Sequence, residues 1–315
     1  MSAGRWTLLA ANDGGHITQL RTLADRFETA DRRMWVTVRT PQTEHLLAGE
    51  TVHWTGPAPT RDAGAAWRNA RTIWRLLDNR DVGAAISTGS SLAVSALLPA
   101  ALRRIPAHYI ESVTRADGIS LSGRMLRWVP GVRLYVQWPH LANRRWRYRG
   151  SVLDGFLAEP GEAKPIERLV VSLGTSSKYE FRRLVERLAA TIPPGVEVLW
   201  QTGCTDVTGL GIAGREQVPA GEMEAAIDSA DAVVAHAGAG IALTILASGK
   251  VPVLVPRLAS RGEHVDDHQE QIARQLARRE LAVVVDADEL DWDVVTASSG
   301  RRCSRVDPGP FVLDT

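Results

Sequence analysis

Short apolar runs along the chain end on small residues, and each is followed by a stretch whose apolar positions recur at helical spacing. Runs at 6–11, 34–38, 51–54, 82–87, 107–110 and 132–136 predict buried strands in the first half. In the second half 168–173, 196–201, 215–218, 232–235, 251–255 and 281–285 do the same. Ile17, Leu20, Leu23, Ala24 and Phe27 fall on one face of a helix, and helices are predicted at 63–77, 90–102, 180–190, 222–228, 241–248, 264–277 and 288–297. Strands separated by helices mean parallel sheets covered on both faces, an α/β fold of doubly wound, Rossmann-like type.

The alternation pauses once. From 150 to 165 the chain is loop-like, with Gly155, Pro160, Gly161 and Pro165, which divides it into a domain at 1–150 and another at 151–298. A length of 315 residues suits two such domains. Residues 299–315, with Pro308, Gly309 and Pro310, are expected to be a flexible tail.

The turns that end the strands hold the candidate chemistry. The stretch 230–271 runs strand, glycine turn, helix, strand, and sets His236, Ala237, Gly238, Ala239 and Gly240 at a helix start. Exposed amides and the positive end of a helix dipole suit a phosphate there. The loop after the next strand collects Arg257, Glu263, His264, Asp266, Asp267, His268 and Gln269, at a strand's carboxyl end, where open α/β sheets bind ligands. Gly174 and Thr175 open a similar turn, which a phosphate or sugar can approach closely.

In the first half, Gly14, Gly15 and His16 form the turn after the first strand, with Asp13 placed to tune the histidine. His16 is then a general base, an acceptor-phosphate contact, or a residue that caps a turn. The turn 88–91 is expected to cap the next helix with Ser90 or Ser91, or to touch a ligand. Glu111 and Arg115 lie in a polar run at a strand's carboxyl end, as site residues or as a surface ion pair.

Charge separates the halves. Residues 1–150 hold 21 arginines and no lysine against 11 acidic residues, net +10, while the other 165 hold 16 basic and 25 acidic residues, net −9. The first half is thus suited to anionic partners, unless the halves simply complement each other. Its most basic segment, 124–149, interleaves seven arginines with Trp128, Tyr135, Trp138, Trp146 and Tyr148. That composition fits an anionic membrane surface, single-stranded nucleic acid, or core aromatics under an arginine face. No apolar run is long enough to span a bilayer and the start, 1–5, has no signal-peptide core, so a cytosolic location is expected. Cys204 and Cys303 are isolated, which argues against a disulfide framework or a zinc site, and no metal cluster is expected.

Together His236 to Gly240 (HAGAG), Gly249 and Lys250, Val253 to Arg257 (VLVPR) and Gly262 to Gln269 (GEHVDDHQ) resemble the C-terminal domain of glycosyltransferase family 28. These residues look like the exopolysaccharide subunit PssE. In the first half Gly14 to His16, Glu111 to Arg115, Leu121 to Arg124 and Val136 to Trp138 look like its partner PssD, so the chain resembles a fusion of the two, and more distantly MurG. Where the MurG-like branch has a ribose-binding Glu, this chain has Thr244.

The resemblance implies two Rossmann-like domains facing a cleft (GT-B) and inverting transfer from a nucleotide-sugar, a UDP-sugar, to a lipid-linked acceptor, without metal or cofactor. The donor would meet Gly174, Thr175, His236, Ala237, Gly238, Ala239, Gly240, Thr244, Arg257, Glu263, Asp267 and Gln269. The acceptor would meet Gly14, Gly15, Glu111 and Arg115, with His16 as base. It also implies peripheral contact with an anionic membrane at its cytoplasmic face. Transfer to a soluble small molecule, such as a natural product or nucleoside, is the alternative within the enzyme class, and a non-catalytic sugar-nucleotide-binding subunit is the alternative outside it. Nucleic-acid binding is disfavoured by the acidic second half.

Overall fold

The structure is a computed structural model, and it describes residues 5–29, 32–57 and 62–314. The chain divides into two compact units, one holding the chain up to Val152 together with the segment from Pro308 onward, the other Leu153–Asp307.

In the first unit the elements run β1 (Trp6–Ala10), α1 (Gly15–Ala24), β2 (Arg32–Val38), α2 (Pro41–Leu46), β3 (Val52–Thr55), α3 (Ala63–Asp78) and β4 (Val82–Ser87). They continue with α4 (Ser90–Leu102), β5 (Ala107–Ile110), α5 (Leu121–Leu126), β6 (Val132–Val136) and β7 (Trp146–Tyr148). The seven strands form one parallel sheet in the order β3-β2-β1-β4-β5-β6-β7. β1 is buried because apolar residues occupy both of its faces, as parallel sheets covered on two sides require. α3 starts where Asp62 accepts the amide of Ala65 at 2.8 Å, and it buries Ala65, Ile73 and Leu77 at helical spacing. α2, absent from the sequence pattern, rests on local chemistry: Pro41 in its first turn, and a reciprocal cap between Thr40 and Thr43.

The second unit contains β8 (Phe156–Pro160), β9 (Arg168–Ser172), α6 (Arg182–Thr191), β10 (Glu197–Gln201), β11 (Gly214–Arg215), α7 (Ala220–Ser229) and β12 (Ala232–His236). It ends with α8 (Ala239–Ala247), β13 (Val253–Val255), α9 (His268–Arg278), β14 (Val283–Val284), α10 (Trp292–Ser299) and β15 (Arg301–Arg305). Its main sheet is also parallel, in the order β11-β10-β9-β12-β13-β14, and β15 pairs with β8 in an antiparallel ribbon. In each unit the strand order reverses at one place. The first unit's reversal lies between β1 and β4, the second's between β9 and β12. Loops leaving those neighbours diverge, and the crevice they leave is where such sheets bind ligands.

Several expectations change: the helix expected from 288 begins at Trp292, and the strand expected at 215–218 is Gly214–Arg215. The helix expected from 264 begins only at His268, because 264–267 is a loop that follows Gly262 in the left-handed region (φ 71°). Where a free tail was expected, β15 forms and the chain beyond it is held: Phe311 is fully buried and packs edge-on against Phe27 and Tyr135. The carboxylate of Asp314 bridges Arg147 and Arg149, which holds it down at about 2, the two guanidinium hydrogen bonds outweighing the cost of burial. The Pro-Gly-Pro composition that suggested disorder is overridden by one aromatic ring and one ion-paired carboxylate. Residues 1–4, read for a leader, and Thr315 lie outside the described residues.

Candidate functional site

In the second unit the turns after β9 and β12 meet across the side chain of His236. Gly174 has φ +79°, and a Cβ there would lie 2.7 Å from His236 Cε1. A Cβ on Gly238 would lie 2.4 Å from His236 Nε2. Both turns therefore need glycine beside this ring, and Gly174 needs it for its backbone as well. His236 Nδ1 lies 3.3 Å from the carbonyl of Ser172; a carbonyl only accepts, so Nδ1 carries the proton. Burial, with the charge of Arg257 adding to it, pulls the imidazole down to about 3, so it is neutral at pH 7. Beside it α8 begins with no side-chain cap. The first amides of such a helix have no intrahelical partner and attract an anion.

The other expected donor residues divide into scaffold and surface. Arg257 is fully buried and donates to the carbonyls of Leu173 (2.8 Å), Tyr179 (2.7 Å) and Glu180 (3.0 Å). It thereby fixes the chain that follows the Gly174 turn. Desolvation lowers its guanidinium to about 10, still charged at neutral pH. Glu263 is buried and takes two hydrogen bonds from Arg183, at 3.0 and 3.2 Å, and one from the amide of Leu258 at 3.0 Å. Burial works against the Arg183 charge, but Glu263, Asp286 and Asp288 outweigh it and hold that guanidinium above its ordinary range. Gln269, in the first turn of α9, is buried, and its side-chain oxygen accepts the amide of Arg257 at 3.1 Å. Asp267, just before that helix, and Thr175 are exposed. Thr244 turns its hydroxyl back to the carbonyl of Gly240, at 3.1 Å, one turn earlier in α8.

In the first unit a second histidine joins two turns at the other strand reversal. His16 Nδ1 is 2.9 Å from the carbonyl of Thr88, and the Thr88 hydroxyl donates to the carbonyl of His16 at 2.7 Å. The same logic puts the proton on Nδ1 and the lone pair on Nε2. A Cβ on Gly89 would come 2.8 Å from His16 Cε1, so this turn also needs its glycine. Asn12 strengthens the join, accepting the Leu92 amide at 3.1 Å. Neither Ser90 nor Ser91 caps α4, contrary to expectation; Gly89 is the cap residue, and Ser90 is held at φ +67°, a costly conformation for a non-glycine residue. Gly14 (φ +73°) donates its amide to Gln42 at 2.8 Å. Gly15 is the first residue of α1, its carbonyl taking a hydrogen bond from Gln19 at 3.0 Å.

Glu111 lies beneath this surface. Its carboxylate accepts the amide and the hydroxyl of Ser120, both at 3.0 Å, the Tyr109 hydroxyl at 3.1 Å and the Ser112 amide at 3.1 Å. Burial raises its proton affinity. With both oxygens taken, Glu111 anchors the loop after β5 to the start of α5. Arg115 is half-buried in that loop. Gln19 had no sequence signal; Thr88 and Gln137 lie in the 88–91 turn and the 136–138 run that the sequence marks, with no individual role assigned to either. Gln19 receives the Val113 amide at 2.9 Å and the Gln137 side chain at 3.2 Å, which ties α1 to the loops after β5 and β6.

The basic segment 124–149 is less exposed than its composition suggests. Tyr135, Trp138 and Trp146 are core residues, while Trp128 is 74% exposed. Its surface partners come from elsewhere. Trp67 and Trp74 on α3, Leu102 on α4, and Leu121 and Met125 on α5 are exposed, and α3 packs on α4 as α4 does on α5. Each exposed tryptophan carries an arginine over its ring: Arg71 over Trp67 at 5.7 Å, Arg103 over Trp74 at 4.2 Å, Arg127 over Trp128 at 4.6 Å. No described helix is long and apolar enough to cross a membrane.

Residues 168–291 match the glycosyltransferase family 28 C-terminal domain. The matched residues all lie within the second unit. Both turns at its strand reversal, the α8 terminus and the 257–269 loop fall inside the family 28 match. No curated protein matches the chain by sequence. Among solved structures, MurG of Acinetobacter baumannii superposes with a TM-score of 0.58 at 19% identity, over 93% of this chain and 89% of that one. CalG4, the calicheamicin glycosyltransferase, gives 0.55 at 17% identity, over 94% and 88%. The UDP-N-acetylglucosamine 2-epimerase of Rickettsia bellii gives 0.54 at 11% identity, over 81% and 80%. The fold, two parallel α/β sheets, is that of the GT-B glycosyltransferases. The epimerase is a reminder that this fold also carries other chemistry.

Proposed function

We propose that the chain is an inverting glycosyltransferase that moves a sugar from a nucleotide-sugar, a UDP-sugar, to a lipid-linked acceptor. The observation that carries the reading is the uncapped start of α8 beside the Gly174 turn, at the strand reversal of a family 28 domain. Donor diphosphate charge would be met there by amides and the helix dipole, while the neutral His236 spaces the two turns. Gln269 keeps its side-chain amide nitrogen for a sugar hydroxyl, with Asp267 beside it; Arg257 and Glu263 hold the loop in shape. Thr244 gives a weak ribose contact at most, since its hydroxyl is bonded within α8.

His16 acts as the base. Its Nε2 takes the proton of the acceptor hydroxyl while that oxygen bonds to the anomeric carbon; the bond from carbon to the diphosphate oxygen breaks, and the nucleoside diphosphate leaves with inverted configuration at the sugar. Gly14, Gly15 and Arg115 would meet the acceptor, and Glu111 supports them from below.

A lipid-linked acceptor is favoured by the arginine-covered Trp67 on α3 and Trp128 just beyond α5, which suit an anionic headgroup layer at the cytoplasmic face. With Tyr135, Trp138 and Trp146 buried, the contact we propose uses the exposed residues of α3–α5 and Trp128 rather than the aromatics of 132–149.

Calorimetric titration with UDP, then assay with UDP-sugars, tests the donor half. Gln269→Ala should weaken UDP-sugar more than UDP; equal affinities would remove Gln269 from the sugar contacts. UDP-sugar binding with neither hydrolysis nor transfer would replace the enzyme reading by that of a binding subunit. Flotation with anionic vesicles tests the acceptor half: absence of binding at low salt favours a soluble acceptor.

A further inference from the structure

The loop before α9 gathers three side chains of metal-ligand type. His264, Asp266 and His268 alternate along the chain, and the ligand atoms they offer lie within 4.8 Å of one another. His264 Nδ1 is 3.7 Å from Asp266 Oδ1, and the same oxygen meets His268 Nδ1. The two imidazoles stand edge to face, with centroids 4.5 Å apart and planes at 88°.

The neighbours hold this arrangement in place. Tyr179 stacks on His264 with ring centroids 5.5 Å apart. The carbonyl of Tyr179 is in turn gripped by Arg257. The Asp266 amide points at His264 Nδ1 from 3.4 Å, which places a lone pair rather than a proton on that nitrogen. The His268 amide, at the start of α9, points at Asp266 Oδ1 from 3.4 Å. All three side chains are half-buried, so the group is ordered by the fold yet open to solvent.

We propose that His264, Asp266 and His268 form a binding site for a divalent transition-metal ion of the zinc, cobalt or nickel type. Two imidazoles and one carboxylate with open coordination positions suit these ions. Magnesium and calcium prefer sets made of oxygen alone. Bonds of about 2.0–2.2 Å bring ligand atoms to roughly 3–3.5 Å of one another, so the cluster contracts modestly around an ion. At His268 the ion takes the place of the Nδ1 proton facing Asp266, and the ring keeps its proton on Nε2. Bound there, it fastens the loop to the first turn of α9, next to Gln269. The proposal does not rest on the transfer reaction, and its test uses the metal alone.

The test is titration of untagged protein with Zn²⁺ by calorimetry and with Co²⁺ by visible absorption. One equivalent should bind, with a cobalt spectrum that reports nitrogen ligation. His264→Ala, His268→Ala and Asp266→Asn should each weaken binding by roughly tenfold or more and abolish that spectrum. Metal-free melting curves of the variants establish that they are folded; if one is not, Asp266→Asn, which keeps size and shape, decides. Two results would overturn the proposal: no stoichiometric binding to the parent protein, or unchanged affinity and cobalt spectrum in the His264→Ala, His268→Ala double variant.

Discussion

His16 and Thr88 hold each other by two reciprocal hydrogen bonds, ring nitrogen to carbonyl at 2.9 Å and hydroxyl to carbonyl at 2.7 Å. The pair joins the turn after β1 to the turn after β4, and it fixes the tautomer of the imidazole. Nε2 is left as the basic nitrogen, on a ring whose position is set by a neighbouring strand rather than by its own loop.

His16→Ala should therefore lower turnover by about 10²–10⁴-fold, the usual range for a lost general base, with UDP affinity nearly unchanged. Thr88→Val keeps the carbonyl that holds Nδ1 and removes only the hydroxyl, so its loss of turnover should be smaller. Steady-state kinetics beside a UDP titration separates these outcomes. Near-normal turnover of His16→Ala would remove it as the base.

Gly238 and His236 are in tighter contact still. Gly238→Ala puts a methyl 2.4 Å from the ring nitrogen, and overpacking of this kind costs about 1–3 kcal/mol. UDP affinity should fall with it, since the displaced ring spaces both turns. If the ring is the obstacle, adding His236→Ala restores part of the melting temperature lost; a double variant no more stable than Gly238→Ala locates the strain elsewhere.

Acid should destabilise the protein well above the carboxylate range. Burial, helped by Arg133 at His108, by Arg257 at His236 and by His268 at His264, lowers these imidazoles from 6.5 to about 4, about 3 and about 4. As pH falls below 6.5 the unfolded chain takes up protons at these positions before the native one does, so the native state is progressively disfavoured. The stability is complete above about pH 6.5 and is lost down through pH 4 to 3. Melting temperatures between pH 7.5 and 4.5 check this, and a flat profile contradicts it.

Phe311→Ala should destabilise the first unit by about 3–5 kcal/mol, the usual cost of removing a buried aromatic ring. The chain's last residues are then structural, although they are far in sequence from Phe27 and Tyr135, against which Phe311 packs. Thermal or urea unfolding is the measurement; an effect below about 1 kcal/mol would return 308–314 to the status of a tail.

Much of the fold is legible from local pattern. Buried parallel strands must be apolar on both faces and covering helices on one, so runs such as 82–87 and 168–173 announce themselves, and their alternation leaves few topologies. Glycines after strands mark the phosphate-friendly turns for a local reason too: Gly174 and Gly14 need a positive φ that other residues resist.

The roles of polar side chains were decided by contacts between residues far apart in sequence, and those depend on strand order. Glu111 and Arg257 look like site residues by type and place, yet the first lies under Ser120 and the second is spent on backbone carbonyls. Thr88 stands 72 residues from His16, and only the pairing of β1 with β4 makes them neighbours. The aromatics of 124–149 divide between core and surface according to which way each element faces, so Trp146 is buried and Trp128 exposed. Pattern alone sets which segments become strands, helices and glycine turns, because those preferences act over a few residues. Which histidine meets which turn, and which carboxylate is free to meet a ligand, is settled only when the strands assemble.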